Sequence, residues 1–159
     1  MEQFLQGQTA VITGGTQGIG WALTQALAAH GARVYACGYS AGSLERAENE
    51  RQALPWRSQI CLARCDVTDR AQYVGWLEEV YGVNGRLDLF IHNAAYVQWD
   101  DVLNMSIEQA QHTMRVGYDG LVTGVRTALP WMLAAGHGHI VAVGSITARI
   151  LVRGSSRSE

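Results

Sequence analysis

One stretch, Thr13-Gly14-Gly15-Thr16-Gln17-Gly18-Ile19-Gly20, constrains the fold of this chain more than any other. It follows the apolar run Ala10-Val11-Ile12 and precedes a helical pattern from Trp21 to His30. Strand, glycine-rich turn and helix, in that order, form the layout that cradles a phosphate. Glycines let the backbone turn tightly and approach a pyrophosphate. The helix N-terminus adds unpaired N–H groups and the positive end of its dipole. The same residues also suit a plain strand-to-helix turn that binds nothing, so the flanking chain has to decide.

Strands and helices alternate along that chain. Residues 9–13 read as a buried strand, because the run is continuous and apolar. Ile19, Leu23, Ala26, Leu27 and His30 follow at helical spacing, and Gly31 stands where a left-handed cap belongs. A second strand covers 33–37, with Gly38-Tyr39-Ser40-Ala41-Gly42 as its exit loop. A charged helix is expected from Ser43 to about Leu54, with Pro55 beyond its end. A third strand at 59–63 leads into Cys65-Asp66-Val67-Thr68-Asp69. Thr68 is the expected cap of the next helix, whose apolar face is Tyr73, Val74, Leu77, Val80 and Tyr81. Residues 82–85 read as a loop and 87–91 as a fourth strand, which runs into His92-Asn93-Ala94-Ala95. Ser106 and Gln109 form a capping box ahead of a long apolar helix to about Leu133, which Pro130 should kink or end. A fifth strand at 139–143 closes on Gly144-Ser145-Ile146-Thr147, and 148–159 show no period.

This alternation predicts an α/β fold: right-handed βαβ units in a doubly wound parallel sheet of about five strands, as one domain over 1–159. Ligands of such sheets bind at the C-terminal strand ends, near the switch in strand order. The glycine turn, the Tyr39 loop, Asp66-Val67, Asn93-Ala94-Ala95 and Ser145 all fall there. Folding alone does not require small and polar residues to gather at one edge.

Composition removes several classes. Twelve basic and fourteen acidic residues leave a net charge of −2, with no basic patch for nucleic acid. All the basic residues other than histidine are arginines. Cys37, Cys61 and Cys65 lack metal or redox spacing and read as buried thiols on strands, so no metal is expected. No apolar run is long enough to span a bilayer and no leader pattern opens the chain, which makes a cytoplasmic protein the default expectation.

With these motifs in order, the chain resembles the short-chain dehydrogenase/reductase family. The turn at 13–20 matches the family's T-G-x-x-x-G-x-G. Asp66-Val67 matches its adenine-contacting pair, and Ile140-Val141-Ala142-Val143-Gly144-Ser145 is similar to the strand that ends in its catalytic serine. His92-Asn93-Ala94-Ala95 resembles its N-N-A-G, with His92 and Ala95 as departures. The resemblance implies a Rossmann-type fold and NAD or NADP as cofactor. It implies that Gly14, Thr16, Gln17, Gly18, Ile19 and Gly20 hold the pyrophosphate and nearby ribose. Asp66 and Val67 would then hold adenine, and Asn93, Ala94 and Ala95 the middle of the cofactor. At the end of the second strand Gly38-Tyr39-Ser40 offers no acid for ribose hydroxyls, which leans toward NADP with Tyr39 and Ser40 beside the 2′-phosphate. No arginine occupies that immediate stretch, and an ordinary turn whose Tyr39 covers adenine remains the other reading.

The implied chemistry is hydride transfer between nicotinamide and a carbonyl or alcohol carbon of a small molecule. In the family a tyrosine serves as acid or base, and a lysine in Y-x-x-x-K lowers its pKa, because an unperturbed phenol near about 10 is a poor base at neutral pH. Ser145 fits the serine that bonds the substrate oxygen. Gly117 stands where a relay asparagine is expected. Y-x-x-x-K is absent, and the usual spacing puts the tyrosine at about Ser158 or just past Glu159. The family also continues with further strands and helices, without which the fifth strand is an apolar edge. The expectation is therefore an N-terminal part of a longer dehydrogenase, a dimer or tetramer when full-length, with catalytic Tyr and Lys beyond residue 159 and no activity in these residues alone. A non-catalytic nucleotide-binding or scaffold protein of the same fold is the alternative. Tyr96, Trp99 and Asp100 are candidates for a pocket wall, Trp99 equally for core.

Overall fold

The computed structural model describes residues 3–98, 101 and 103–145. Its elements run β1 (Thr9–Thr13), α1 (Gly18–Ala29), β2 (Arg33–Gly38), α2 (Ala41–Gln52), a short 3-10 turn (Arg57–Gln59), β3 (Ile60–Arg64), α3 (Arg70–Asn84), β4 (Leu89–His92), α4 (Ile107–Met114), a π-helical stretch (Arg115–Asp119), α5 (Gly120–Ala135) and β5 (His139–Ala142). The five strands form one sheet, ordered β3-β2-β1-β4-β5, and every pairing is parallel. This is the Rossmann-like doubly wound arrangement expected from the alternation. The chain winds outward from β1 to β3, then returns to the other side of β1 for β4 and β5. The switch in order therefore lies between the C-terminal ends of β1 and β4.

Strand alternation divides the core into two layers. Val11 and Phe90 face α3 and α5, packing with Tyr73, Leu77, Val80, Ala128 and Met132. Ala10, Ile12, Val34, Ala36 and Ile91 face the other side, with Trp21, Ala28 and Ala47 from α1 and α2. Phe90 and Leu77 are at most 1% exposed, and burying a side chain of that size contributes about 1.5–3 kcal/mol. β1 is buried at every position, because it lies in the middle of the sheet with helices on both faces. β5 is one of the two edge strands, the other being β3, and all four of its residues are exposed.

Several local expectations are corrected. Ser40 caps α2, which starts at Ala41 rather than Ser43; its hydroxyl accepts the Ser43 N–H. Asp69, not Thr68, caps α3 by accepting the Gln72 N–H at 3.1 Å. Thr68 is unavailable because its hydroxyl donates to Asp66 Oδ1 at 2.7 Å. α3 runs through 82–84 and stops at Gly85, in the left-handed region at φ +64°. β4 starts at Leu89 instead of Leu87. Pro130 does not end α5, which continues to Ala135 and closes on left-handed Gly136. Pro130 lies on the exposed side of that helix, where solvent can satisfy the carbonyl its ring leaves unpaired. The helical path from α4 to α5 is continuous, with the π-helical stretch widening it between them.

Candidate functional site

A groove of about 250 Å³ opens at the C-terminal ends of β1, β2, β3 and β4. It is lined by Gly14, Thr16 and Gln17 of the turn, by Tyr39 and Ser40 after β2, by Asp66 and Val67 after β3, and by Ala94 and Ala95 after β4. These segments come from distant parts of the sequence, and the parallel sheet brings them to one edge.

Close backbone approach explains the glycines. Gly14 has φ +64°, and a Cβ there would lie 2.9 Å from the Cα of Ala94. Asn93 does not line the groove; its Nδ2 donates to Gly14 O at 3.0 Å and ties the β4 loop to the turn. A Cβ on Gly20 would press on the Gly14 carbonyl and come within 2.5 Å of the same Nδ2. Gly18, Ile19 and Gly20 thus form the first turn of α1 beside the groove rather than its lining. Gln17, the N-cap of α1, makes no side-chain cap bond, and the first turn holds no acidic residue. The helix therefore presents open N–H groups and positive dipole to its surroundings.

Hydroxyl groups brace the turn from below. Thr24 Oγ lies 3.1 Å from Gly15 O and 2.9 Å from Gly20 O, and it donates to these carbonyls. Thr16 and Ser43 hydroxyls meet at 3.0 Å, and Ser43 donates to Ser40 O at 3.0 Å. The Thr13 hydroxyl accepts the N–H groups of Asn93 and Ala94, both at 3.1 Å.

Asp66 and the thiols shape the floor. Asp66 Oδ1 accepts the Thr68 N–H at 2.8 Å and the Thr68 hydroxyl, so that oxygen is committed to its own turn. Cys65 lies just past β3 and lines the groove, where a strand position was expected. A thiol–thiol hydrogen bond from Cys37 lowers the pKa of Cys65 and, with burial, raises that of Cys37. Cys61 is half-buried, and all three cysteines are free thiols. Among the described residues no group of three His, Cys, Asp or Glu side chains could hold a metal ion.

Tyr96, His112 and Val116 form a further wall. The Tyr96 and His112 rings meet edge to face with centroids 4.6 Å apart. Of these three, sequence reasoning singled out Tyr96 alone. His112 and Val116 stand four residues apart and so share a helix face, but nothing in the sequence aims that face at the strand ends. Ser145 follows β5, exposed and outside the groove lining. Gly117 sits in the π-helical stretch, where an added Cβ would meet nothing within 4 Å. Trp99, Asp100, Ile146, Thr147 and 148–159 lie outside the described residues.

The sequence profile described as short chain dehydrogenase matches residues 8–156, in the order in which the groove's segments were just assembled. The chain belongs to the short-chain dehydrogenase family. Members of this family are oxidoreductases that use NAD or NADP and act on small molecules. The short-chain dehydrogenase match extends to individual proteins. The chain is 31% identical over 156 residues to a tropinone reductase homolog of Datura stramonium, covering 96% of this chain and 56% of that protein. It is 31% identical over 145 residues to the glycine betaine reductase ATRR of Emericella nidulans, covering 91% of this chain and 11% of the relative. The solved structure of a putative short-chain dehydrogenase from Novosphingobium aromaticivorans superposes with a TM-score of 0.86 at 25% identity, over 96% of this chain and 57% of that one. The chain thus spans a little over half the length of the Datura and Novosphingobium proteins. Among its described residues no helix is long and apolar enough to cross a membrane.

Proposed function

We propose that this chain is the dinucleotide-binding part of an NAD(P)-dependent oxidoreductase acting on a carbonyl or alcohol. The observation that carries the reading is the groove at the switch point, where Gly14 and Ala94 pack closely beside the uncapped start of α1. That cradle suits a pyrophosphate: small residues admit its backbone and open N–H groups face its charge. Gly14, Thr16, Gln17, Gly18, Ile19 and Gly20 would hold the pyrophosphate and nearby ribose, Tyr39 and Ser40 would stand beside the 2′-phosphate of NADP, Asp66 and Val67 would hold adenine, and Asn93, Ala94 and Ala95 the central part. The bound cofactor would supply or accept the hydride. Ser145 would orient a substrate oxygen, and the Tyr and Lys that complete the chemistry would come from beyond residue 159. These 159 residues would then bind dinucleotide as one domain without turnover. The full-length protein would act in the cytoplasm as a homo-oligomer, without nucleic acid or membrane partners.

Fluorescence titration with NADPH and NADH tests the reading. Saturable binding is expected, and Gly18→Asp should abolish it by bringing a carboxylate to the phosphates. Binding unchanged in that variant would sink the site assignment.

A non-catalytic nucleotide-binding or scaffold role is favoured by two specific features, the absence of any lysine and the bare Gly117. Extending the reading frame past codon 159 separates the two. A Y-x-x-x-K in the following helix supports the enzyme, and its absence supports the scaffold.

A further inference from the structure

Beneath the groove, β2 and β3 bring two thiols together on one face of the sheet. Cys37 pairs in register with Ala63, and Cys65 follows Ala63 by two residues, so both side chains enter the same core layer. The Cys65 N–H donates to Gly38 O at 3.1 Å and holds the end of β3 against β2. The Cys37 thiol donates to the Cys65 sulfur, and the Cys37 sulfur in turn accepts the Gly14 N–H. A chain of hydrogen bonds thus runs from the glycine turn through Cys37 to Cys65.

The two thiols differ in access. Cys37 is fully buried, whereas Cys65 lines the groove with 2% of its surface exposed, so only a small reagent reaches it there. The hydrogen bond from Cys37 favours the Cys65 thiolate, the nucleophilic form, against burial and the Asp66 and Asp69 carboxylates. The Tyr73 phenol, buried and without a hydrogen-bond partner, lies near both sulfurs. Cys61 stands four residues before Cys65 and opens instead on a separate cleft with Tyr35 and Trp76. Cys65 itself follows the last residue of β3, an edge strand. Closing the thiol contact into a bond therefore displaces a chain end that is paired on one side alone.

We propose that Cys37 and Cys65 form a peroxide-sensitive thiol pair in the floor of the groove, and that their oxidation to an intramolecular disulfide weakens nucleotide binding there. The effect on binding rests on the groove being a dinucleotide site; the thiol chemistry does not. The Cys65 thiolate attacks hydrogen peroxide: the S–O bond forms, the O–O bond breaks and hydroxide leaves. The Cys37 sulfur then attacks the sulfenic acid. The S–S bond forms, the S–O bond breaks, and the hydroxyl leaves with the Cys37 proton as water. The thiols lose two electrons and the peroxide gains them. Oxidation takes the Cys37 sulfur away from Gly14, whose left-handed backbone and close approach to Ala94 set the turn. Reciprocally, nucleotide bound in the groove should disfavour the disulfide.

Peptide mapping of the full chain after graded hydrogen peroxide, paired with NADPH fluorescence titration, tests the pair. One disulfide joining residues 37 and 65 is expected, formed more slowly when NADPH is present. The oxidised chain should bind NADPH about tenfold more weakly, and dithiothreitol should restore the affinity. In Cys37→Ser, peroxide should leave a sulfenic acid at Cys65 that dimedone traps. Oxidation of Cys61 alone, or a Cys65 sulfenic acid that never becomes a disulfide in the parent chain, would overturn the pair. A disulfide that leaves NADPH affinity unchanged would overturn its link to the groove while the dinucleotide site stands. If the reduced chain fails to bind NADPH, the groove reading and the proposed effect on binding fall together, and the mapping judges the thiol chemistry separately.

Discussion

The Thr13 hydroxyl lies 3.1 Å from Nδ1 of His92, its direct partner across the β1–β4 ladder. That hydroxyl already accepts two backbone N–H groups, so its proton goes to the imidazole. Nδ1 is then the acceptor, and Nε2 carries the ring proton. One buried side chain thereby fixes the exit of β4 against the start of the glycine turn. Thr13→Val keeps the shape and removes the acceptor. It should lower stability by about 2 kcal/mol in urea unfolding, the scale for leaving buried donors unpaired. Thr13→Ser should recover most of the loss, and equal losses in the two variants would refute the hydrogen-bond account.

Gly18 and Gly20 should both lose stability on gaining a Cβ, but unequally and for different reasons. Gly18 has φ +53° and no atom within 4 Å of an added Cβ, so Gly18→Ala carries backbone strain of about 1 kcal/mol. Gly20 has no positive φ, but its Cβ would collide with the Gly14 carbonyl and the Asn93 amide. Gly20→Ala should cost about 3 kcal/mol or displace the turn, and it should weaken NADPH binding more than Gly18→Ala does. Thermal melts and parallel titrations of the two variants make the comparison.

What the sequence made legible follows from which forces are local. The turn at 13–20 and the buried strands around it depend on glycine content and continuous apolar runs, and the structure forms them as read. The cap of α3 was missed because Thr68 and Asp69 are both good caps, and Asp66 claims the hydroxyl of the first. The π-helical stretch at 115–119 leaves the apolar pattern nearly intact, so periodicity does not register it. Ser145 was legible as a strand-end hydroxyl, and it follows β5 directly.

At the opposite end of the sheet, Asp88 predicts an acid transition. Its carboxylate is 5% exposed in side-chain surface. It accepts the Thr9 N–H at 2.8 Å, Arg86 Nε and Nη2 at 2.8 and 2.6 Å, and lies 3.0 Å from His137 Nε2. Burial alone pushes this carboxyl up, but Arg86, the Thr9 amide and His137 outweigh it and hold its pKa below the usual carboxylate range. A depressed folded pKa means that the unfolded chain binds the proton more readily. The stabilisation is fully present above the unfolded value of about 3.9 and is lost as pH falls through the folded value. Asp88→Asn should be less stable near neutral pH and show a flatter decline below about pH 4. Unfolding curves across that range would reject the network if both chains decline in parallel.

His92 predicts a second, higher pH limb. The residue is 4% exposed, and its Nε2 has no hydrogen-bond partner. Burial lowers its pKa below the ordinary 6.5, while the Gly117 and Val116 carbonyls oppose the shift without reaching bonding geometry. The charged ring would need both nitrogens as donors, and Nδ1 already accepts from Thr13. Protonation therefore favours the unfolded chain. The stabilisation is complete above the unfolded pKa of about 6.5 and is lost as pH falls through the lower folded value. His92→Asn keeps an acceptor for Thr13 and cannot titrate there, so its stability should be flatter than the parent's between about pH 7 and 5. NMR titration of the ring protons should give a midpoint below that of an exposed histidine. A midpoint at or above 6.5 would show that the buried neutral ring is misassigned.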